Sequence, residues 1–163
     1  MIKAAIITVS DKGSRGQRED LSGDAIKHIL KRIKAKIIFY RIVPDEIELI
    51  KSSIIEAADQ EKTDLILTTG GTGFAERDVT PEATKEVVEK LVPGISEVIR
   101  MESFKKVSQA ALSRAIAGIR GKSLIINLPG SPKGVRESLE IIINILPHGI
   151  SILKGEVSEC GKE

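Results

Sequence analysis

Tryptophan is absent from this 163-residue chain, and one tyrosine and three phenylalanines are its only aromatic residues. With so few stacking rings, a formal net charge of +2 and acids and bases mixed throughout, the chain lacks the basic stripe or aromatic platform of a nucleic-acid binder. The single cysteine, Cys160, sits in the polar tail SECGKE, which excludes a disulfide framework and a paired-thiolate metal site. His28 and His148 have no partner spacing that suits a metal or a catalytic triad, and both read as structural. Apolar runs such as LIINL, Leu124 to Leu128, fall well short of the roughly 20 residues a membrane span needs. The N-terminus MIKAAIITVSD carries one lysine and reaches Asp11 without an apolar core or cleavage site, so an unexported, cytoplasmic protein is expected. Three motifs are missing too. No Gly-Lys-Ser or Gly-Lys-Thr follows the glycine loop, Glu76 stands where a dinucleotide fingerprint needs a third Gly or Ala, and there is no GxSxG elbow.

What is present is an alternation of β-branched blocks with helical stripes, within a length that fits a single domain over 1–163. Ala4 to Val9, Lys36 to Val43 (KIIFYRIV) and Asp64 to Thr69 (DLILTT) read as strands. Helical stripes run through Ala25, Ile26, Ile29, Leu30 and Ile33, then through Ile47, Ile50, Ile54 and Ala58. A third, Ala83, Val87, Val88 and Leu91, starts at Thr80 and is expected to stop at Pro93-Gly94, with a further helical segment from Ile95. RAIAGIRGKSLIINL reads as a hairpin turning at Arg120, Gly121 and Lys122. A last long helix starts at Ser131-Pro132, carries Val135, Leu139, Ile142, Ile143 and Leu146, and breaks at Pro147. The implied class is α/β: a three-layer α/β/α arrangement, its sheet mostly parallel, with an antiparallel hairpin at one side.

In such sheets ligands bind at the carboxyl ends of the strands, and every loop expected there is chemically unusual. In TTGGTGFAERDVTP, the glycines Gly70, Gly71 and Gly73 permit positive φ and Thr72 offers a hydroxyl. They form either an anion-binding nest or a tight strand exit whose glycines serve backbone geometry. Thr80 with Pro81 suits a helix cap, which leaves Asp78 for another task, such as holding a hard cation beside a phosphate. In PDEIE, Asp45 with Glu48 fits a capping box, although its position at a strand end also suits a ligand role. Ser10 and Asp11 lead into a loop with Lys12, Arg15 and Arg18, either phosphate contacts or a solvated loop; Ser22 reads as the next helix cap. NLPGSPKG makes Ser131 a cap whose helix dipole points at the same rim, leaves Asn127 and Gly130 without a local role, and adds the charge of Lys133.

The stretches TVSDKGSRGQREDLSG, VPDE, TTGGTGFAERDVTPEAT and LSRAIAGIRGKSLIINLPGSPKGV, at this spacing, resemble the MogA and MoaB family of molybdenum-cofactor biosynthesis proteins, most closely the MogA type. The resemblance covers nearly the whole chain and implies a molybdopterin-binding domain. It implies adenylyl transfer from ATP to the terminal phosphate of molybdopterin with release of pyrophosphate, magnesium-dependent, in a homotrimer that serves a downstream molybdenum-insertion protein. On that resemblance Asp45 and Asp78 match the two functional carboxylates and the Mg²⁺ ligands. Ser10, Asp11, Gly70, Gly71, Thr72, Gly73 and Thr80 match the nucleotide and pterin pocket, as do Ser113, Asn127, Pro129, Gly130, Ser131 and Lys133. Lys133 or Arg15 is expected at the departing pyrophosphate. The MoaB branch implies instead a molybdopterin carrier without adenylation, and a phosphate-handling hydrolase is a third reading of the same nest. No nucleic-acid or membrane partner is expected.

Overall fold

The computed structural model describes residues 1–156, so Cys160 lies outside the described residues. Strand β1 (Lys3–Val9) leads through a one-turn helix α1 (Asp11–Ser14) to α2 (Leu21–Leu30). Then come β2 (Lys36–Val43), α3 (Ile47–Ile55) with a π-helical extension over Glu56–Gln60, and β3 (Leu65–Thr69). The second half runs α4 (Thr80–Val87), β4 (Lys90–Leu91), α5 (Pro93–Phe104), a 3₁₀ turn (Ser108–Leu112), β5 (Ala117–Arg120), β6 (Ser123–Leu128), α6 (Pro132–Ile142) and α7 (Leu146–Lys154). The sheet order is β2-β1-β3-β6-β5-β4, parallel from β2 to β6 and antiparallel across β6-β5-β4.

Period-two alternation sorts the strand residues into two cores. Ala4, Ile6, Leu65, Leu67, Leu124 and Ile126 pack with α2, α5, α6 and α7. Ala5, Ile7, Ile66 and Ile125 pack with α3 and α4 on the opposite face. The strands are apolar on both sides because both sides are covered, and the three-layer α/β/α expectation holds. The chain goes from β1 to β2 on one side, then returns past β1 to place β3 on the other. The strand order therefore reverses between β1 and β3, and their carboxyl ends diverge into a crevice. Among the described residues no helix is long and apolar enough to cross a membrane.

Several local expectations are corrected by tertiary contacts. The helix from Thr80 ends at Val87 rather than reaching Leu91. The next residues form an edge strand instead, because the Glu89 amide donates to the Ile119 carbonyl at 2.8 Å and the Val92 amide to Ala117 at 2.9 Å. Pro93 opens α5 rather than stopping a helix, as its missing N–H costs nothing in a first turn. Pro147 likewise sits in the first turn of α7, and the break comes before it, after Ile142. Ser22 does not cap α2: Asp20 does, accepting from the Gly23 amide, while the Ser22 hydroxyl donates 2.7 Å to the Gly130 carbonyl. Thr80 is fully buried and donates to the Gly70 carbonyl at 2.9 Å, so it holds the glycine loop rather than capping α4. Asp45 does not cap α3; that position belongs to Glu46, without a side-chain bond.

Candidate active site

The reversal point holds a polar cleft of about 750 Å³. Four strand ends supply its floor: Ser10 and Asp11 after β1, Asp45 after β2, Gly70 and Gly71 after β3, and Gly130 after β6. Asp78 lines the same cleft, so the two carboxylates expected at the site share one cavity although 33 positions separate them in sequence. A second cavity of about 320 Å³ opens on the other side of the glycine loop, between α5, the 3₁₀ turn and α6. Thr72, Gly73, Ser113, Asn127 and Pro129 line this one, and Ser131 lines both. The segments 70–73 and 129–131 thus form a ridge between two neighbouring cavities.

Glycine is required on that ridge by the chain's own backbone. Gly70 has φ +98°, and a Cβ there would lie 2.3 Å from the Val9 carbonyl oxygen. Gly71 has φ +68°, and its Cβ would lie 2.3 Å from the Thr80 hydroxyl and 3.3 Å from Asp45 Oδ1. A Cβ at Gly130 would lie 3.3 Å from the Gly70 Cα. Close passage of the ends of β1, β3 and β6 at the crevice therefore accounts for Gly70 and Gly130, and a left-handed backbone packed against Thr80 accounts for Gly71, independently of any ligand. Gly73 lies outside the positive-φ set, and a Cβ there would come within 2.8 Å of Asp78 Oδ2.

The carboxylates form an interlocked group. The Asp11 amide donates to Asp45 Oδ2 at 3.0 Å, and the Asp45 amide returns a bond to Asp11 Oδ1 at 3.1 Å. Arg77 grips Asp11 through both oxygens, at 2.6 and 2.8 Å. This pair holds the Asp11 carboxyl down at about 2, chiefly through the Arg77 hydrogen bond. The Asp45 pKa moves up, first because the group is buried and then because the charges of Asp11 and Asp78 repel its ionised form, although the Asp11 amide acts the other way. Asp78 accepts from the Ala75 amide at 3.0 Å through Oδ2. Asp45 Oδ1 and Asp78 Oδ1 are the oxygens for which these contacts provide no hydrogen-bond donor.

Other expected residues fall less directly on the site. Asn127 is a structural knot in the cavity wall, with Nδ2 donating to the Thr68 and Thr84 hydroxyls at 2.9 Å each and Oδ1 accepting from the Ile116 amide at 3.2 Å. Lys133 and Arg15 are exposed and line neither cavity; Lys12 and Arg18, from the segment between β1 and α2, stand on the cleft wall instead. Sequence reasoning assigned no role to Arg77 or Arg114. Arg114, beside Ser113, donates to the carbonyls of Gly73 at 2.7 Å and Asp78 at 2.6 Å, and pairs with Glu82. The RDVTP and LSRA stretches held both arginines, but which carbonyls they reach is a tertiary property.

A family model described as a probable molybdopterin binding domain matches residues 5–148. The chain belongs to that molybdopterin-binding family. A Helicobacter pylori (strain J99 / ATCC 700824) protein named molybdopterin adenylyltransferase is 46% identical over 164 residues, covering 99% of this chain and 93% of the relative. A solved structure from Thermus thermophilus, described as the molybdopterin biosynthesis enzyme MoaB, superposes with a TM-score of 0.90 at 50% identity, covering 95% of this chain and 98% of that one. The tungsten cofactor synthesizing protein MoaB from Pyrococcus furiosus superposes with a TM-score of 0.84 at 39% identity, covering 95% and 96%. In this molybdopterin-binding chain both cavities lie within the matched residues.

Proposed function

We propose that the protein is a molybdopterin adenylyltransferase, built as one molybdopterin-binding domain over residues 1–163. It transfers AMP from ATP to the terminal phosphate of molybdopterin in molybdenum-cofactor biosynthesis. The observation that carries this reading is the pair of cavities meeting at one ridge, the larger lined by the carboxylates of Asp11, Asp45 and Asp78, the smaller by the facing sides of α5 and α6. ATP occupies the larger cleft, with its phosphates near Lys12, Arg18 and the glycine loop. The pterin occupies the smaller, with its phosphate at Ser131, where the N-terminus of α6 favours negative charge. A phosphate oxygen of molybdopterin attacks the α-phosphorus, a new P–O bond forms, and the bond from that phosphorus to the oxygen bridging to the β-phosphate breaks to release pyrophosphate. Alignment and charge neutralisation suffice for such a step, so no general base is required.

Mg²⁺ fits the donor set. Two carboxylate oxygens without internal hydrogen-bond donors, on Asp45 and Asp78, suit an ion usually held by one or two carboxylates plus substrate phosphates, and Asp45 is already repelled by its acidic neighbours. Bound there, the ion would neutralise phosphate charge. Asp11, gripped by Arg77, positions Asp45 through the paired backbone bonds. The cytoplasm is the compartment this ATP-dependent reading requires, and a molybdenum-insertion protein is the natural recipient of the product. A homotrimer is supported by exposed Met101 and Phe104, apolar side chains on α5 that a neighbouring copy would cover.

The test supplies ATP, Mg²⁺ and molybdopterin to the purified protein and follows pyrophosphate. Release only when both substrates are present is expected. Molybdopterin binding without release would instead favour the second reading, a carrier of the kind named MoaB, which the Thermus neighbour's name keeps in view. ATP cleavage without pterin would point to a hydrolase.

A further inference from the structure

Asp45 and Asp78 reach the larger cleft from separate loops, so the spacing of their carboxylates depends on what holds each loop. Asp45 is held by its exchange of backbone bonds with Asp11. Asp78 closes a turn whose tip, residues 74–77, is exposed. Inside that turn the Asp78 amide donates to the Ala75 carbonyl at 2.9 Å, and Asp78 Oδ2 accepts from the Ala75 amide at 3.0 Å. These bonds shape the turn without attaching it to the rest of the molecule. Arg77 ties the tip to Asp11, but through an exposed side chain, and such pairs hold a loop weakly.

Arg114 attaches both ends of the turn. Its Nε donates to the Gly73 carbonyl at 2.7 Å and its Nη2 to the Asp78 carbonyl at 2.6 Å, while Nη1 pairs with Glu82 in the first turn of α4. Its own amide donates to the Thr72 carbonyl at 2.9 Å. Each guanidinium nitrogen thus has a different acceptor, and the planar fork fixes how far apart the two carbonyls stand. The arm has a braced base. Arg100, on α5, donates to the carbonyls on either side of Arg114, those of Ser113 at 3.3 Å and Ala115 at 2.8 Å, and the Ile116 amide donates to Asn127 Oδ1 at 3.2 Å. Arg100, Ser113, Ala115 and Asn127 all line the smaller cavity. Arg114 therefore joins the wall of one cavity to a loop bearing a carboxylate of the other. It grips Asp78 by the main chain, which leaves the carboxylate for a ligand, whereas Arg77 binds the Asp11 carboxylate itself.

We propose that Arg114 is a positioning residue for Asp78: braced in the wall of the smaller cavity, it fixes the turn that presents the Asp78 carboxylate to the larger cleft. This rests on the adenylyl-transfer reading above, in which that carboxylate meets the nucleotide's Mg²⁺. A misplacement of about 1 Å can cost on the order of a hundredfold in rate. Arg114→Gln and Arg114→Lys should each lower kcat about a hundredfold, while the KM for molybdopterin stays within about threefold. Lysine keeps the charge but cannot span three acceptors. Glu82→Gln, which removes only the ion pair, should leave kcat within about twofold. Calorimetric titration, without pterin, of an ATP analogue with a methylene bridge between the α- and β-phosphates supplies a readout apart from turnover. Mg²⁺ should tighten its binding to the unsubstituted protein about tenfold, and both Arg114 variants should lose that gain while keeping the magnesium-free affinity. Folded Arg114 variants that keep the gain would overturn the assignment, as would a Glu82→Gln variant as impaired as they are. Unfolding of both Arg114 variants, or equal weakening with and without Mg²⁺, would assign the residue to the fold alone and overturn it too. If the parent releases no pyrophosphate yet its Mg²⁺ gain disappears in the Arg114 variants, adenylyl transfer fails and the positioning role stands. If Mg²⁺ brings the parent no gain, the positioning role fails whatever pyrophosphate release shows.

Discussion

The two cavities on either side of the glycine ridge are built by different means. The larger is made from loops at strand ends, and several of its polar groups are fixed by residues remote in sequence: Asp11 by Arg77, Asp45 by Asp11, the Gly70 carbonyl by Thr80. The smaller is made from the facing sides of two helices and a 3₁₀ turn, and it keeps one buried hydroxyl unpaired. The difference teaches that strand ends can concentrate charge because neighbouring backbone amides and arginines hold it there. Helix faces offer shape and a few isolated polar contacts, since their own amides are already used within the helix.

The largest effect should come from removing charge on the loop side. Asp45→Asn and Asp78→Asn are each expected to lower the rate of pyrophosphate release by about a hundredfold or more. Asp45→Asn should also hold or raise the melting temperature at neutral pH. The pKa of Asp45 is raised in the fold, so the folded state favours its protonated form. Its stabilising contribution is therefore complete below the ordinary carboxylate value of about 3.9 and is lost as pH climbs through the raised one. An active Asp45→Asn enzyme would show that the strand-end carboxylates are not the chemical side of the pair.

The ridge itself comes next, because both cavities depend on it. Gly70→Ala combines a left-handed backbone with a Cβ 2.3 Å from the Val9 carbonyl, and a loss of about 2–4 kcal/mol in a urea titration is expected. Little loss would mean that β1 and β3 can separate at the crevice, and the two sites would then be less rigidly joined than described.

On the helix side, Ala110→Trp places a large side chain on the turn that closes the smaller cavity. The KM for molybdopterin should rise by about tenfold or more, with the KM for ATP unchanged. A shift in the ATP value instead would assign the cavities the other way round. The smallest effect belongs to Arg77→Gln. Asp11 lies at about 2 because Arg77 pairs with it, so its contribution to stability is present above the unfolded value of about 3.9 and is lost as pH falls through the folded one. Releasing the pair should flatten melting temperature against pH across that interval while leaving neutral stability nearly unchanged, because exposed ion pairs contribute little.

Legibility divided along similar lines. The layer order could be read from β-branched blocks alternating with helical stripes, and the resulting strands at Lys3–Val9, Lys36–Val43 and Leu65–Thr69 match closely. The hairpin followed from two apolar runs around Gly121, which does take positive φ. The edge strand Lys90–Leu91 could not be read, because two exposed residues carry no alternation and the strand exists only through its pairing with β5. Capping was the least legible feature. Ser22, Asp45 and Thr80 all have the right side chains at helix starts, yet each turns to a partner remote in sequence. Those contacts form at the same crevice, where loops compete for donors and acceptors.

The sequence by itself determined which layers form and which loops gather at one rim, because periodicity records burial and strand ends in a parallel sheet must share an edge. Only the tertiary structure decided that the glycines answer to Val9, Thr80 and each other, that Arg77 and Arg114 tie the loops, and that the Ser96 hydroxyl is buried without a partner. The physical reason is range. Periodicity is set by each residue's burial within its own element, whereas close approach and hydrogen-bond pairing depend on atoms tens of residues away.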